Sequence, residues 1–291
     1  MTRVVSIDGT LTRPEEASVS VYDRGFLYGD SVFETVRTYA GEPFALDEHM
    51  ARLSRSAERV GITMPVAPAL FAMEVRKAVR AAKNPESYAR AMLTRGAGPL
   101  GLDPSAALTP LRVILVEPLT PPPPSAYRDG VAVVTVRTER AADAAHGAKV
   151  GNYLASLLAL QKARAAGAHE ALILDASGHV LEGTTSNVFL VRGGDLITPP
   201  DEAGILPGIT RAHLLDIARA ERHGVRFTSI TPADLATADE VFLTSSIREI
   251  LPVVRVDDRI IAGGAPGPVT RALHAAFRAM VGLGAAPMPW D

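Results

Sequence analysis

The chain has 291 residues, of which 47% are hydrophobic and 21% charged, with a formal net charge of −2 at pH 7 and no cysteine. That length can bury a large core and implies two domains, and the composition is that of an ordinary soluble globular protein. The charge balance, without a Lys/Arg-rich run, argues against a nucleic-acid surface, and the missing cysteine excludes a disulfide framework, a zinc-finger-type site and a thiol nucleophile.

The opening MTRVVSIDGT is strand-like and lacks the apolar core of a signal peptide. Arg3 to Ile7 and Ala17 to Val21 read as short strands around the turn Asp8-Gly9. Ser31 to Tyr39 reads as a strand, followed by a turn at 40–43 and a helix from Glu48 to Val60 with Asp47 as its N-cap. A second helix runs from Pro68 to Lys83, and Tyr88 to Arg95 and Leu111 to Val116 read as paired strands. Four consecutive prolines, Pro121 to Pro124, favour stiff extended backbone. They place a linker at 118–128, between a small α/β domain (1–117) and a larger domain (129–291).

The second part begins with a strand from Val131 to Arg137 and a helix from Tyr153 to Ala166 that stops at Gly167. Strands follow at Glu170 to Leu174, His179 to Glu182 and Asn187 to Val191, then a helix from Gly208 to near Gly224. Strands at Val225 to Ile230 and Glu240 to Leu243 precede a last helix, Gly267 to Val281. No apolar segment approaches the ~20 residues of a membrane span. The seven His residues show no HxH or HExxH spacing, which argues against metal chemistry. A cytoplasmic enzyme is the expectation.

Chemistry enters at the lysines. Lys77, Lys83 and Lys162 sit on polar helix faces and read as solvated charges, whereas Lys149 is crowded by Gly147, Ala148, Val150 and Gly151. Desolvating a lysine favours its free amine, the form that attacks a carbonyl. Lys149 is therefore a candidate Schiff-base nucleophile. Gly208-Ile209-Thr210 places free N–H groups at a helix start, where a phosphate is favoured, or it is a plain loop-to-helix junction. Thr244-Ser245-Ser246 offers hydroxyls and amides to the same phosphate, or caps a helix. Arg52 could add charge there, or lie solvated on its helix, and Glu182 could pair with a protonated ring nitrogen, or simply end a strand.

As an ordered set these residues resemble the class IV aminotransferases, the fold-type IV pyridoxal-phosphate enzymes. The most specific stretches are Gly29 to Glu34, Glu48 to Leu53, Lys149 to Tyr153, Glu182-Gly183 with Asn187-Val188-Phe189, and Leu206 to Arg211. The resemblance implies a mixed α/β (α+β) fold, with a small α/β domain and a larger pseudo-barrel domain, the cofactor in the cleft between them, and a homodimer or higher homo-oligomer. It implies that Lys149 binds pyridoxal 5'-phosphate covalently and shuttles a proton, Glu182 holds the pyridine nitrogen, and Tyr153 bonds the phenolic oxygen. Arg52, Ile209, Thr210, Ser245 and Ser246 would form the phosphate cup.

Tyr28, Phe33, Tyr88 and Arg90 match the substrate pocket of branched-chain aminotransferases, with Arg90 placed to bind a glutamate side-chain carboxylate. Thr35 departs from the glycine usual there and resembles the threonine of aminodeoxychorismate lyase. Ile247 and Arg248 add bulk and charge near the substrate carboxylate. The implied reaction is transamination from a branched-chain L-amino acid to a 2-oxo acid such as 2-oxoglutarate; the alternatives are the lyase reaction and a D-amino-acid or (R)-amine transaminase.

Overall fold

The computed structural model describes residues 2–107, 109–137 and 147–291. They form two compact units: the described residues of Met1–Thr120 with those of Asp143–Tyr153, and the described residues of Pro121–Ala142 with Leu154–Asp291. Lys149 and Tyr153 thus group with the first unit, and Glu182 with the second.

The first unit contains β1 (Val4–Ile7), β2 (Thr10–Thr12), α1 (Arg24–Tyr28), β3 (Ser31–Tyr39), β4 (Glu42–Pro43), α2 (Leu46–Arg59), α3 (Pro68–Ala82), β5 (Ser87–Thr94) and β6 (Leu111–Pro118). The strands form one sheet in the order β2-β1-β6-β5-β3-β4. Asp8 and Gly9 have φ of 47° and 82°, the primed geometry of a two-residue hairpin, so β1 pairs at once with Thr10–Thr12. The strand expected at Ala17 to Val21 is absent for that reason: β2 already fills the place beside β1.

Helix α2 begins at Leu46 with Ala45 as N-cap and no side-chain cap bond. The expected cap, Asp47, lies inside the first turn, where its charge faces the positive end of the helix dipole. Apolar residues at helical spacing on α2 (Leu46, Met50, Leu53, Ala57) and α3 (Phe71, Val75, Ala78, Ala82) pack on one sheet face, built from Val32, Val36, Ala89, Ala91, Leu93, Ile114 and Val116. Side chains alternate along a strand, so Phe33, Thr35, Tyr88 and Arg90 occupy the other face. With β5 along one edge of β3, the segment around Val150 pairs with its other edge. Phe33 N–H donates to Lys149 O (3.0 Å) and Gly151 N–H to Ser31 O (2.7 Å).

The second unit contains α4 (Pro124–Arg128), β7 (Val131–Arg137), α5 (Leu154–Ala165), β8 (Glu170–Leu174), β9 (Val180–Gly183), β10 (Asn187–Arg192), β11 (Asp195–Thr198), α6 (Ile209–Ala220), β12 (Val225–Phe227), α7 (Pro232–Ala236), β13 (Glu240–Ser245), β14 (Glu249–Val256), β15 (Arg259–Ile260) and α8 (Pro268–Met280). Among the described residues the nine strands form one sheet, ordered β12-β11-β10-β13-β14-β7-β8-β9, with β15 on β14. β8 is buried along its whole length, which is why it reads as a continuous apolar run. On one side α5 covers it through Ala159 and Ala163, and on the other lies a core that includes Val133, Val188, Leu190, Leu243 and Leu251.

The structure departs from the sequence expectation in this unit: β11 and α7 are additional, and the strand expected at Val225 to Ile230 stops at Phe227. The proline run is not all linker: Pro124 is the first residue of α4, a position whose N–H has no helical partner to lose. β14, absent from the sequence reading, lies between β13 and β7 and contains Pro252, just before Val253, the first residue in register with β7. No helix among the described residues is long and apolar enough to cross a membrane.

Candidate active site

In the first unit the Lys149 amine lies 3.3 Å from the Tyr153 hydroxyl and 4.7 Å from the centre of the Phe33 ring. Phe33 and Tyr153 meet edge-on at 5.2 Å. The Lys149 backbone is held on both sides, its O by Phe33 N–H and its N–H by Ser56 Oγ at 3.1 Å. Gly151 makes the approach possible, because a Cβ there would sit 2.0 Å from Ser31 Oγ.

Arg90 and Tyr88 join this group through strand register: Thr35 faces Arg90, and Arg37 faces Tyr88. The Arg90 guanidinium stacks on the Phe33 ring at 3.7 Å, its Nε is buried without a partner, and no carboxylate pairs with it among the described residues. Phe33, Thr35, Tyr88, Arg90, Lys149 and Tyr153 therefore form one group. Tyr28 ends α1, and its hydroxyl accepts from Gly101 N–H at 3.1 Å.

Arg52 lies on the helix-covered side of the same sheet. Its Nε and Nη2 donate to the two oxygens of Glu34, each at 2.7 Å, and His49 Nδ1 is 2.7 Å from Glu34 Oε2. All three side chains are buried. Burial opposes ionisation of Glu34, but the Arg52 guanidinium and His49 outweigh it and push its pKa down to about 2. Burial pushes His49 down as well, against the pull of Glu34. The sequence reading gives Glu34 and His49 no role. The available signal is a lone carboxylate in phase with Val32 and Val36, on the core side of the strand.

In the second unit Glu182 lies near the end of β9. Its Oε2 accepts from Leu206 N–H at 3.1 Å and from Asn187 Nδ2 at 3.5 Å, and Asn187 also donates to Leu206 O at 2.9 Å. Asn187, which sequence reasoning passes over as part of a motif, is the hub. Gly208 packs so closely that a Cβ would lie 2.0 Å from Asn187 Oδ1, and Thr244 faces Asn187 across the β10–β13 ladder. Gly208 caps α6 without a side-chain bond, so the amides around Ile209 and Thr210 start the helix uncapped. Thr244 Oγ1 is buried with no hydrogen-bond partner. Ser245 ends β13, and Ser246 and Ile247 follow in a tight turn before β14.

Arg248 is engaged by neighbouring side chains. Its Nη1 donates to Glu170 Oε2 at 2.9 Å and its Nη2 to Thr185 Oγ1 at 3.0 Å, because a fully buried carboxylate is the stronger attractor.

The family model for amino-transferase class IV matches residues 31–256. The chain belongs to the class IV aminotransferases. A putative branched-chain-amino-acid aminotransferase of Methanocaldococcus jannaschii is 39% identical over 276 residues, 94% of this chain and 95% of that one. A D-alanine aminotransferase of Bacillus licheniformis is 34% identical over 276 residues, with the same coverage. The T.th. branched-chain amino acid aminotransferase, solved with pyridoxamine 5'-phosphate, superposes with a TM-score of 0.90 at 33% identity, covering 96% of this chain and 94% of that one. This aminotransferase thus has the fold-type IV architecture, and class IV aminotransferases in general are pyridoxal-phosphate enzymes.

A carboxylate whose pKa is depressed on folding stabilises the protein fully above its ordinary value and loses that contribution as pH falls to the folded value. For Glu34 the window runs from 4.5 down to about 2, and the contribution is about 3 kcal/mol. Urea titrations at a series of pH values are expected to show wild-type stability falling through this window. Glu34→Gln should be less stable near neutrality by roughly 3–5 kcal/mol and should lose much of the acid slope. An unchanged slope in the variant would show that Glu34 carries no such linkage.

Proposed function

We propose that this aminotransferase binds pyridoxal 5'-phosphate and moves an amino group from a branched-chain L-amino acid to a 2-oxo acid such as 2-oxoglutarate. One observation carries the reading: the Lys149 amine touches the Tyr153 hydroxyl on a sheet face shared with Arg90, a guanidinium without a carboxylate partner among the described residues. The cofactor, when bound, supplies an electron sink that allows a substrate Cα–H bond to break heterolytically.

The residues present fit such a group. Lys149 would provide the amine that anchors it and, once a substrate amine has taken that place, the released Nζ would carry the proton from the substrate Cα. Tyr153 Oη orients that amine and would bond the ring's phenolic oxygen. Glu182 would hold the ring nitrogen protonated, with its own carboxylate kept in place by Leu206 and Asn187. The uncapped start of α6 at Ile209 and Thr210, the orphaned Thr244 hydroxyl, and Ser245 and Ser246 suit a phosphate. Arg52 would join the cup as a guanidinium already oriented and charge-balanced by Glu34.

For the substrate, Phe33 and Tyr88 present apolar surface to an aliphatic side chain, and Arg90 can take the side-chain carboxylate of glutamate or 2-oxoglutarate in a bidentate pair. Thr35, Tyr28 and Ile247 would shape the rest of the pocket. Exposed apolar side chains gather around α1: Val21, Tyr22 and Phe26 lie beside Leu100 and Leu102, joined by the Asp23–Ala97 bridge and by Arg24 bonds to the Gly101 and Leu102 carbonyls. A patch of this kind favours burial against a second copy of the chain.

Purified protein loaded with pyridoxal phosphate is expected to show a visible absorbance band that borohydride abolishes, and Lys149→Ala should lose both band and activity; a band surviving the substitution would falsify the assignment of Lys149. In steady-state kinetics Arg90→Met should raise the KM for 2-oxoglutarate by about 10- to 100-fold, the loss of a charge-assisted pair, while leucine is little affected; equal effects on both would remove Arg90 from carboxylate recognition. A donor panel with both enantiomers, run beside an assay for pyruvate release from aminodeoxychorismate, tests the choice of reaction. Light scattering should give a dimer or larger assembly, with Phe26→Asp shifting it toward monomer; a monomeric wild type would refute the apolar patch as a self-contact.

A further inference from the structure

We propose that Glu170 is a positioning residue, which locks the loop after Glu182 to the turn that carries Ser245 and Ser246 and so shapes the phosphate end of the site; this rests on the pyridoxal-phosphate reading above. Glu170 opens β8 and is fully buried. An ionised carboxylate taken out of water persists only where donors replace the water. Here five do. Oε1 accepts from Thr184 Oγ1 (2.8 Å), Thr185 N–H (2.7 Å) and Thr185 Oγ1 (3.1 Å), and Oε2 accepts from Ser186 Oγ (3.0 Å) and Arg248 Nη1 (2.9 Å).

All of these donors flank residues assigned to the cofactor. Thr184, Thr185 and Ser186 are the three residues after Glu182-Gly183 and before Asn187, which bonds Glu182 and faces Thr244. Arg248 belongs to the turn that begins at Ser245. Its N–H donates to Ser245 Oγ at 3.3 Å, its O accepts from Tyr127 Oη at 3.1 Å, and its second Nη reaches Thr185 Oγ1. Beside the β10–β13 ladder, one carboxylate thus ties the Glu182–Asn187 stretch to the Ser245–Arg248 turn through side chains. Gly183 shows how little slack remains: a Cβ there would lie 2.2 Å from Ser186 Oγ and 3.0 Å from Glu170 Oε1. Thr185 relays the link, donating to Glu170 while accepting from Arg248. Without the carboxylate, Arg248 and the 184–186 hydroxyls lose their common acceptor, and the side-chain link between loop and turn is broken.

The test compares pyridoxal phosphate with pyridoxal, which lacks the phosphate, on the full-length apoprotein. Fluorescence or absorbance titration gives both dissociation constants, and the melting temperature of each apoprotein is measured alongside. Glu170→Gln removes the charge while keeping the shape. Its dissociation constant for pyridoxal phosphate should rise about tenfold, the equivalent of one charge-assisted hydrogen bond, while that for pyridoxal stays within about twofold. Arg248→Lys keeps the charge without the fork and should give a smaller shift of the same kind; it also serves if Glu170→Gln does not fold.

Glu240→Gln is the control. Glu240 is another buried carboxylate, but it accepts from Val269 N–H and Thr270 at the start of α8. Its substitution should lower the melting temperature and leave the ratio of the two dissociation constants alone. If Glu170→Gln weakens both ligands equally, or behaves like Glu240→Gln, the positioning role is overturned and Glu170 is structural only. A wild type that binds neither ligand overturns the cofactor reading itself, and this inference with it.

Discussion

The alternation of side chains along β3 is the constraint from which the first unit's site follows. Phe33, Thr35 and Arg37 point to one face; Val32, Glu34 and Val36 point to the other, under α2 and α3. Both edges are fixed by backbone bonds, to β5 on one side and to the Lys149–Gly151 segment on the other. A slip of one residue would turn Glu34 onto the face with Lys149 and push Phe33 beneath the helices. The Glu34 pair with Arg52 and His49 opposes that slip, because only the native register brings the carboxylate to the guanidinium fork. A slipped strand would leave Arg52 buried without its carboxylate, the costly arrangement for a charge in an apolar core. The lysine is therefore aimed by a register that an ion pair on the opposite face helps to select.

In the second unit the corresponding segments are turns between paired strands, and buried carboxylates hold those turns. Glu170 gathers the 184–186 loop and Arg248. Glu249, at the other end of the same turn, adopts a φ of 57°, a conformation that disfavours any side chain, and it is held by His274 Nε2 at 2.6 Å and Arg278 Nη1 at 3.2 Å. His274 in turn packs against Trp290 near the C-terminus, their ring centres 5.4 Å apart. The turn with Ser245, Ser246 and Ile247 is thus fastened at two consecutive residues by carboxylates from different strands. Loops cannot draw rigidity from a hydrogen-bond ladder, and charge-assisted bonds inside a low-dielectric interior are the strongest local substitute.

What can be read from the sequence is what depends on neighbours along the chain. Lys149 stands out because glycines flank it, and the structure gives one of them its reason in the approach of Gly151 to Ser31. Gly208 is legible as a helix start for the same kind of reason, its closeness to Asn187. The amphipathic periods of α2 and α3 lead directly to the core they build. What cannot be read depends on partners far apart in sequence. Glu34 meets Arg52 and His49 only after α2 folds back over the sheet, and Glu170 meets Arg248 only once β8 and β14 share a sheet. Local signals also mislead: Val19 and Val21 suggest a strand that the Asp8-Gly9 hairpin leaves without an edge to join, Asp47 suggests a cap inside what is already the first turn, and Pro252 disguises β14.

The stacking of Arg90 on Phe33 bears on how one site could serve two kinds of substrate. In the proposed reaction the same face must accept an aliphatic side chain in one half and a carboxylate in the other. A guanidinium left bare beside an aliphatic group would be an uncompensated charge, and the cost would fall on the branched-chain substrate. Over the Phe33 ring, 3.7 Å from its centre, the guanidinium has a cation–π partner that asks for no counter-ion. A carboxylate would compete for it with two directional bonds, whereas an aliphatic side chain offers none. Thr35, directly across the ladder from Arg90, takes up space that a glycine would leave open beside it.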